Sequence, residues 1–137
     1  MPQKISEKEV VEKLDEFFAT LSVKNTDKNK IYSLVTDDYY IFENQQKYSM
    51  PEFLEFIATF NTLEDQWTLS NLDIDTDLNS AHVTLNNSGR FKVNTPEGMV
   101  QMDYEWLESA YLVKQEGVLK FKFYFSEVVT SKTTPLE

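Results

Sequence analysis

The 137-residue sequence contains no cysteine, only three glycines and a single histidine. The absence of cysteine excludes disulfide bridges, thiolate zinc sites and cysteine nucleophiles. Three glycines leave no glycine-rich loop that could cradle a phosphate group. One histidine without a local cluster of candidate ligands supports neither a Ser-His-Asp triad nor a metal centre. We therefore expect no metal ion and no other cofactor.

Positive charge is also scarce, with 13 Lys and Arg against 23 Asp and Glu and a net charge of −10. This balance disfavours contact with a phosphate backbone, so we expect no nucleic-acid partner. No apolar run approaches the ~18 residues of a membrane span, so we expect no membrane partner either.

The two ends of the chain bear on where the protein is located. Met1 to Lys4 lead into a polar helix pattern without the apolar core of a signal peptide, which favours the cytoplasm. Leu136-Glu137 is typical of the residues that a cloning junction leaves. An exported, periplasmic protein whose signal has been removed therefore stays open as the alternative.

The chain has ample material for one hydrophobic core, since 41% of its residues are hydrophobic and 14% are aromatic. Ser6 and Glu9 form a capping-box pattern that begins a helix, whose apolar stripe runs from Val10 to about Val23. A shorter helix around Ile31 follows. Ser49 and Glu52 repeat the capping pattern and predict a third helix with its own apolar stripe.

Strands account for the rest of the pattern. Residues 39–42 predict a short strand between the second and third helices. Beyond Leu63 the hydrophobic period changes to two and predicts four long antiparallel strands, with a bend near Ser70-Asn71. In the last strand the alternation places Leu119, Phe121, Phe123 and Phe125 on one apolar face. Residues 130–137 carry no pattern and predict a disordered tail after a single domain over 6–129.

These elements predict an α+β domain in which a curled antiparallel sheet wraps the long helix. Such a sheet has one face under the helices and one face outside. Because the strands carry more aromatic residues than one face needs, the sequence predicts a homodimer.

The order of elements, Thr36-Asp37-Asp38 before a short strand, and the final hairpin over 112–121 together resemble the nuclear transport factor 2-like superfamily. Within it the chain is most similar to the SnoaL-like and ketosteroid isomerase-like branch. The resemblance covers residues 6–129 and implies a cystatin-like, cone-shaped α+β barrel. Such a cone encloses a pocket that performs isomerase, cyclase, dehydratase or hydrolase chemistry in some members and serves only binding or assembly in others.

The resemblance also implies one functional residue, an acidic base at Glu43. The oxyanion hole of the isomerases needs a Tyr on the first helix and a protonated acid on a long strand. Their counterparts here are Phe17 and approximately Ser109. Phe17 has no hydrogen-bond donor, and such a donor is worth a few kcal/mol, so the resemblance argues against a typical ketosteroid isomerase reaction.

Aromatic residues provide the other candidates for a pocket. Tyr40, Trp67 and Tyr124 combine an apolar body with a polar tip that suits an aromatic ligand. Tyr104 and Trp106 alternate with acidic residues on a long strand, so they form either a pocket wall or, the preferred of the two, a dimer surface. The candidate ligand pocket therefore comprises Phe17, Tyr40, Trp67, Tyr104, Trp106 and Tyr124.

Three functions follow from this pattern. The first is binding of a small apolar or aromatic molecule in the pocket of a homodimer. The second is catalysis by a lyase or isomerase, with Glu43 as general base and Tyr40 as a nearby donor. The reaction would then be that of an isomerase, a cyclase or a dehydratase. The third is an assembly module without catalysis. The lone His82 alternates with polar residues, so we expect it to face solvent or a partner.

Overall fold

The computed structural model describes residues 3–24 and 28–136, except for the side chain of Lys28. It contains three helices: α1 (Glu7–Leu21), α2 (Lys28–Ser33) and α3 (Met50–Ala58). Both predicted capping boxes are present, since the Ser6 and Ser49 hydroxyls accept from the backbone N–H groups of Glu9 and Glu52. Both glutamates in turn accept from the backbone of their serine.

Six strands form one sheet in the order β2-β1-β6-β5-β4-β3. They are β1 (Val35–Glu43), β2 (Gln46–Ser49), β3 (Thr62–Thr76), β4 (Ser80–Thr95), β5 (Gly98–Gln115) and β6 (Val118–Pro135). The prediction of an antiparallel sheet is wrong in one place, because β1 and β6 run parallel. No tight turn links these two strands, so nothing forces the chain to reverse between them.

The sequence pattern missed β2, which pairs with β1 in a short hairpin. Asn44 and Gln45 form its two-residue turn with φ angles of 53° and 61°. Positive φ at both central positions is the geometry that suits the twist of a two-residue hairpin, and Asn tolerates it better than most residues. The hairpin places Glu43 opposite Gln46 at the end of β1.

Two irregularities set which residues face inward. The predicted bend is present at Asn71, which has a φ of 52° and lies within a register shift of β3. A second shift in β6 leaves Lys122 as an extra residue, so that Phe121 and Tyr124 are both buried while Phe123 turns outward. The prediction that Phe121 and Phe123 share one face is therefore wrong, because a bulge reverses the alternation.

Lys122 has a partner on the neighbouring strand. Its Nζ lies 2.6 Å from Oδ2 of Asp38, while the Thr36 hydroxyl donates to Oδ1 of the same carboxylate at 2.7 Å. These bonds lower the pKa of Asp38. Asp38, which lies within β1, thus forms an ion pair on the protein surface with the extra residue of the β6 bulge.

The predicted disordered tail from residue 130 is also wrong. β6 continues to Pro135 alongside β5, and the Leu136 N–H donates to the Met99 carbonyl at 2.8 Å. The Ser, Thr and Lys residues of this segment show no hydrophobic period, but backbone pairing along the unusually long β5 does not require one. Glu137 lies outside the described residues.

The core lies between α1 and the concave face of the sheet, which confirms the predicted α+β class with a curved sheet. The buried face of α1 carries Val10, Leu14 and Phe17, and the sheet opposes it with residues such as Val83, Ala110, Leu112 and Phe121. Within the described ranges, no helix is long and apolar enough to cross a membrane. Further along the concave face the packing opens into a cavity.

Candidate functional site

A cavity of about 370 Å³ lies between α1, α3 and the concave face of the sheet. It is more than twice the roughly 150 Å³ of an engineered cavity that admits benzene. Its wall is predominantly aromatic and aliphatic, as in sites for small molecules. The aromatic members are Phe17, Phe18, Phe53, Phe56, Phe60, Trp67, Phe91, Tyr104, Trp106 and Tyr124.

One end of the cavity is buried and the other reaches the surface. Phe17, Tyr124, Asn87 and Glu108 are all buried. By contrast, the lining residues Phe60 and Val128 are 39% and 46% exposed. The cavity therefore opens to solvent beside Phe60 and Val128 and is closed at its other end by buried residues.

Tyr104 and Trp106 belong to the wall of the cavity. Their rings stack with centroids 5.2 Å apart, and Phe91 meets both edge-on. Gly89, on the neighbouring strand, makes room for them: a Cβ atom there would lie 2.5 Å from Cζ3 of Trp106. The preferred assignment of these two aromatics to a dimer surface is therefore wrong.

Three more predicted pocket residues line the same cavity. Phe17 on α1 stacks on Tyr124 with centroids 5.8 Å apart. Trp67 on β3 packs against Phe18 and Phe91, with ring centroids 5.4 Å and 5.7 Å apart. The structure thus brings together residues from a helix and three strands that are distant in sequence.

The prediction for Tyr40 is wrong. Its ring packs on Phe42 and Phe123 outside the sheet, and the Lys47 ammonium lies 4.5 Å from its centroid. The alternation of β1 turns Tyr39, Ile41 and Glu43 inward instead. Tyr40 therefore cannot donate to a ligand in this cavity.

Glu108 is the polar centre of the buried end, with only 6% of its surface exposed. Its Oε1 accepts from the Tyr124 hydroxyl at 2.5 Å and from Asn87 Nδ2 at 3.2 Å. Its Oε2 accepts from the Ser126 hydroxyl at 2.9 Å. All three of these donors come from strands adjacent to β5.

Sequence reasoning placed the strand acid near Ser109 and so missed Glu108 by one residue. Ser109 lies on the outer face, where its hydroxyl is 3.4 Å from Nε2 of the exposed His82. The alternation of side chains along the strand could have identified Glu108. Tyr104, Trp106 and Glu108 lie two residues apart and therefore point to the same face of the sheet.

Glu43 lines the same cavity from the end of β1. Burial raises its pKa from the usual value to about 7, and the charge of Glu108 adds to the effect. Burial likewise raises the pKa of Glu108 to about 7, against the lowering effect of its hydrogen bonds from Tyr124, Ser126 and Asn87. Two carboxyls that disfavour each other's ionisation titrate as a pair, so the site can hold and release protons near neutral pH.

Two buried side-chain polar atoms of the described residues have no hydrogen-bond partner, the Tyr39 hydroxyl and Oδ1 of Asn87, and of these two residues only Asn87 lines the cavity. Asn87 is 2% exposed, and its Oδ1 makes no hydrogen bond although its Nδ2 donates to Glu108. A buried acceptor without a partner costs about 1–3 kcal/mol. Among the described residues that line the cavity there is no Lys, Arg or His. Nor do the described residues contain a group of three or more acidic or histidine side chains that could hold a metal ion.

Comparisons with known proteins bear on the fold. No family model matches the sequence, and no curated protein matches it. Among solved structures, a scytalone dehydratase-like protein from Novosphingobium aromaticivorans superposes with a TM-score of 0.73 at 15% identity, over 95% of this chain and 88% of that one. An NTF2-like protein from Cytophaga hutchinsonii gives 0.70 at 12% identity, over 91% and 100%.

A third structure, similar to the association domain of calcium/calmodulin-dependent protein kinase II, comes from Xanthomonas campestris. It superposes with a TM-score of 0.71 at 16% identity, over 91% of this chain and 89% of that one. Together these similarities confirm the nuclear transport factor 2-like fold that the sequence resemblance implied.

Proposed function

We propose that this protein binds a small, largely apolar, aromatic molecule in the cavity, with the polar end of that molecule directed at Glu43, Asn87 and Glu108. One observation carries the proposal: the buried Glu108, the half-buried Glu43 and the unpaired amide oxygen of the buried Asn87 line one aromatic cavity. Structural cores rarely keep such polar groups, because each buried polar group costs free energy unless something pairs with it.

The wall supplies the affinity for the apolar part of the ligand. The stacked rings of Tyr104 and Trp106, together with Phe91 and Trp67, offer flat surfaces on which another aromatic ring can stack. Such contacts add about 0.5–1.5 kcal/mol per ring pair beyond the burial of area. A bicyclic aromatic body suits the volume of the cavity.

Calorimetric titration with 2-naphthalenemethanol tests this function, and Trp106→Ala and Tyr40→Ala serve as matched variants. The first removes an aromatic ring from the wall, and the second removes one from the outer face. We expect saturable binding to the unmodified protein, about tenfold weaker binding to Trp106→Ala, and unchanged binding to Tyr40→Ala. Equal effects of the two variants would contradict the proposed site.

The second candidate is proton-transfer catalysis with Glu43 as general base. Its pKa of about 7 favours this role, because a base is most effective when its pKa lies near the working pH. The protonated form of Glu108 has a hydroxyl that can donate to a developing enolate oxygen. The dehydratase-like structural neighbour is consistent with a lyase, although at 15% identity it carries no residue assignment.

A bicyclic ketone tests the catalytic candidate without knowledge of the natural substrate. With 2-tetralone in D₂O, Glu43 removes a proton from the carbon next to the carbonyl and a deuteron returns to it. Proton NMR follows this exchange. We expect Glu43→Gln to slow it by about 10²- to 10⁴-fold, while the exposed control Glu105→Gln leaves it unchanged. Exchange no faster than in buffer would exclude Glu43 as a base.

We also propose that two copies associate through the outer face of the sheet. Tyr40, Phe42 and Phe123 form an aromatic cluster there, next to Tyr111 and Leu107, which are themselves exposed. The association-domain neighbour also points to assembly. Light scattering should give twice the 16.1 kDa of the chain, and Phe42→Lys should give the monomer. A dimer that binds none of the aromatic probes would favour the third function, an assembly module.

A further inference from the structure

We infer that the cavity selects a ligand whose polar end is a protonated amine, in preference to an alcohol or a carboxylate on the same aromatic body. This inference rests on the proposed binding function and names the chemical class of its ligand. Three independent features of the buried end support it: its hydrogen-bond inventory, its charge and its aromatic surfaces.

The hydrogen-bond inventory leaves acceptors but few donors. The Tyr124 hydroxyl, the Ser126 hydroxyl and Asn87 Nδ2 all donate to Glu108. Oδ1 of Asn87 and the carboxyl of Glu43 remain available on the cavity wall, whereas the unpaired Tyr39 hydroxyl does not line the cavity. Rotating the Asn87 amide would free its NH2 group as a donor, but it would also set the amide oxygen against the Glu108 carboxylate, which disfavours that orientation. A ligand must therefore bring donors, and an ammonium group brings three.

The charge of the site points the same way. The charged residues described along the cavity wall are Glu43, Asp65 and Glu108, all acidic. Asp65 is occupied by the Ser22 hydroxyl and the Val23 N–H, which leaves the two glutamates without a cation. Holding two negative charges in the cavity without a counter-charge is costly. A carboxylate ligand would add a third negative charge, whereas an ammonium ligand would supply the missing positive one. The net charge of −10 also favours the approach of a cation.

The aromatic surfaces allow the cation to enter. Trp106, Tyr104, Phe91 and Trp67 line the cavity, and the negative faces of such rings attract an ammonium group. An arylmethylammonium ion therefore finds ring surface for its body and two available acceptor groups for its head, namely the Glu43 carboxyl and Asn87 Oδ1. An alcohol supplies one donor and no charge.

A series of three probes with one aromatic body tests the inference. Calorimetry at about pH 8 compares 2-naphthylmethylamine, 2-naphthalenemethanol and 2-naphthoic acid. We expect the amine to bind at least tenfold more tightly than the alcohol, and the acid to bind least. The affinity for the amine should fall towards about pH 6, because the carboxyls must release protons to pair with the ammonium group.

Variants separate the head-group contacts from the rest of the cavity. Glu43→Gln should reduce the amine affinity about tenfold and leave the alcohol affinity within twofold. Asn87→Leu should also weaken the preference for the amine over the alcohol. Glu105→Gln, on the outer face of the same strand as Glu108, is the matched control and should leave the preference unchanged. If Asn87→Leu does not fold, Glu43→Gln still tests whether the carboxyl selects the amine.

The outcomes distinguish this inference from the proposed function. Binding of the alcohol or the acid as tightly as the amine would overturn the inference and leave the binding function standing. An amine preference that survives Glu43→Gln would also overturn it, because the selectivity would then arise elsewhere. Failure of all three probes to bind would overturn both.

Discussion

Tyr124 and Glu108 are joined by a hydrogen bond of 2.5 Å between two side chains that solvent barely reaches. The phenol donates to the carboxyl from the adjacent strand, and the same ring stacks on Phe17 of α1. One side chain thus connects the aromatic wall of the cavity to the buried carboxyl of Glu108. Any change in the protonation of Glu108 is felt directly by Tyr124.

Removing this hydrogen bond should shift the titration of the site. Tyr124→Phe keeps the stacked ring but removes the donor that lowers the pKa of Glu108, so we expect that pKa to rise above about 7. Carbon-13 NMR of labelled glutamate side chains measures the shift. A hydrogen bond to a charged group contributes about 1.5–3 kcal/mol, so the variant should also unfold at lower urea concentration. An unchanged titration of Glu108 would contradict the bond.

The buried carboxyls should make the protein less stable as the pH rises. Burial raises both pKa values to about 7 from a usual value of 4.5, so the folded state holds these protons more tightly than the unfolded state. The resulting stability is complete below about pH 4.5 and is lost as the pH passes 7. Urea unfolding should therefore show a loss of roughly 2–3 kcal/mol for Glu108 alone between about pH 5 and 8.

Glu108→Gln is the control for that pH dependence. An amide of the same shape does not titrate, so the slope of stability against pH should flatten. The surface carboxylates Asp38, Asp77 and Asp103 have lowered pKa values. They therefore change the stability of the protein only in more acidic solution. A wild-type stability that increases from about pH 5 to 8 would show that the pair is not buried as described.

Gly89 should tolerate no side chain. Gly89→Ala places a Cβ atom 2.5 Å from the Trp106 ring, which must then leave its stack on Tyr104. Overpacking of this kind costs about 1–3 kcal/mol. Thermal unfolding measures the loss, and tryptophan emission reports the displacement of the ring. Ser88→Ala, at the exposed neighbouring position, should change neither.

The end of β6 should behave as a paired strand. Backbone amides of residues 130–134 that pair with β5 should exchange with solvent more slowly than those of an unstructured segment. Mass spectrometry of the exchanged protein resolves this region. Exchange there at the rate of free peptide would restore the disordered tail that the composition predicted.

Local chemistry in the sequence determined much of this fold. The Ser6 and Ser49 capping boxes, the change of period beyond Leu63 and the bend at Asn71 all depend on residues within a few positions of one another. Such features can be read directly because the interactions that form them are short-range in sequence.

Only the tertiary structure decided which face of each strand points inward. The bulge at Lys122 reverses the phase of β6, so Tyr124 lines the cavity and Ser126 donates to Glu108, while Phe123 lies on the outer face. Glu108 became a candidate for the functional site only through the strand register, which places it opposite Ser126. Alternation along a strand is a local property, but its phase is fixed by the register with neighbouring strands, and a shift of one residue exchanges the buried and exposed faces.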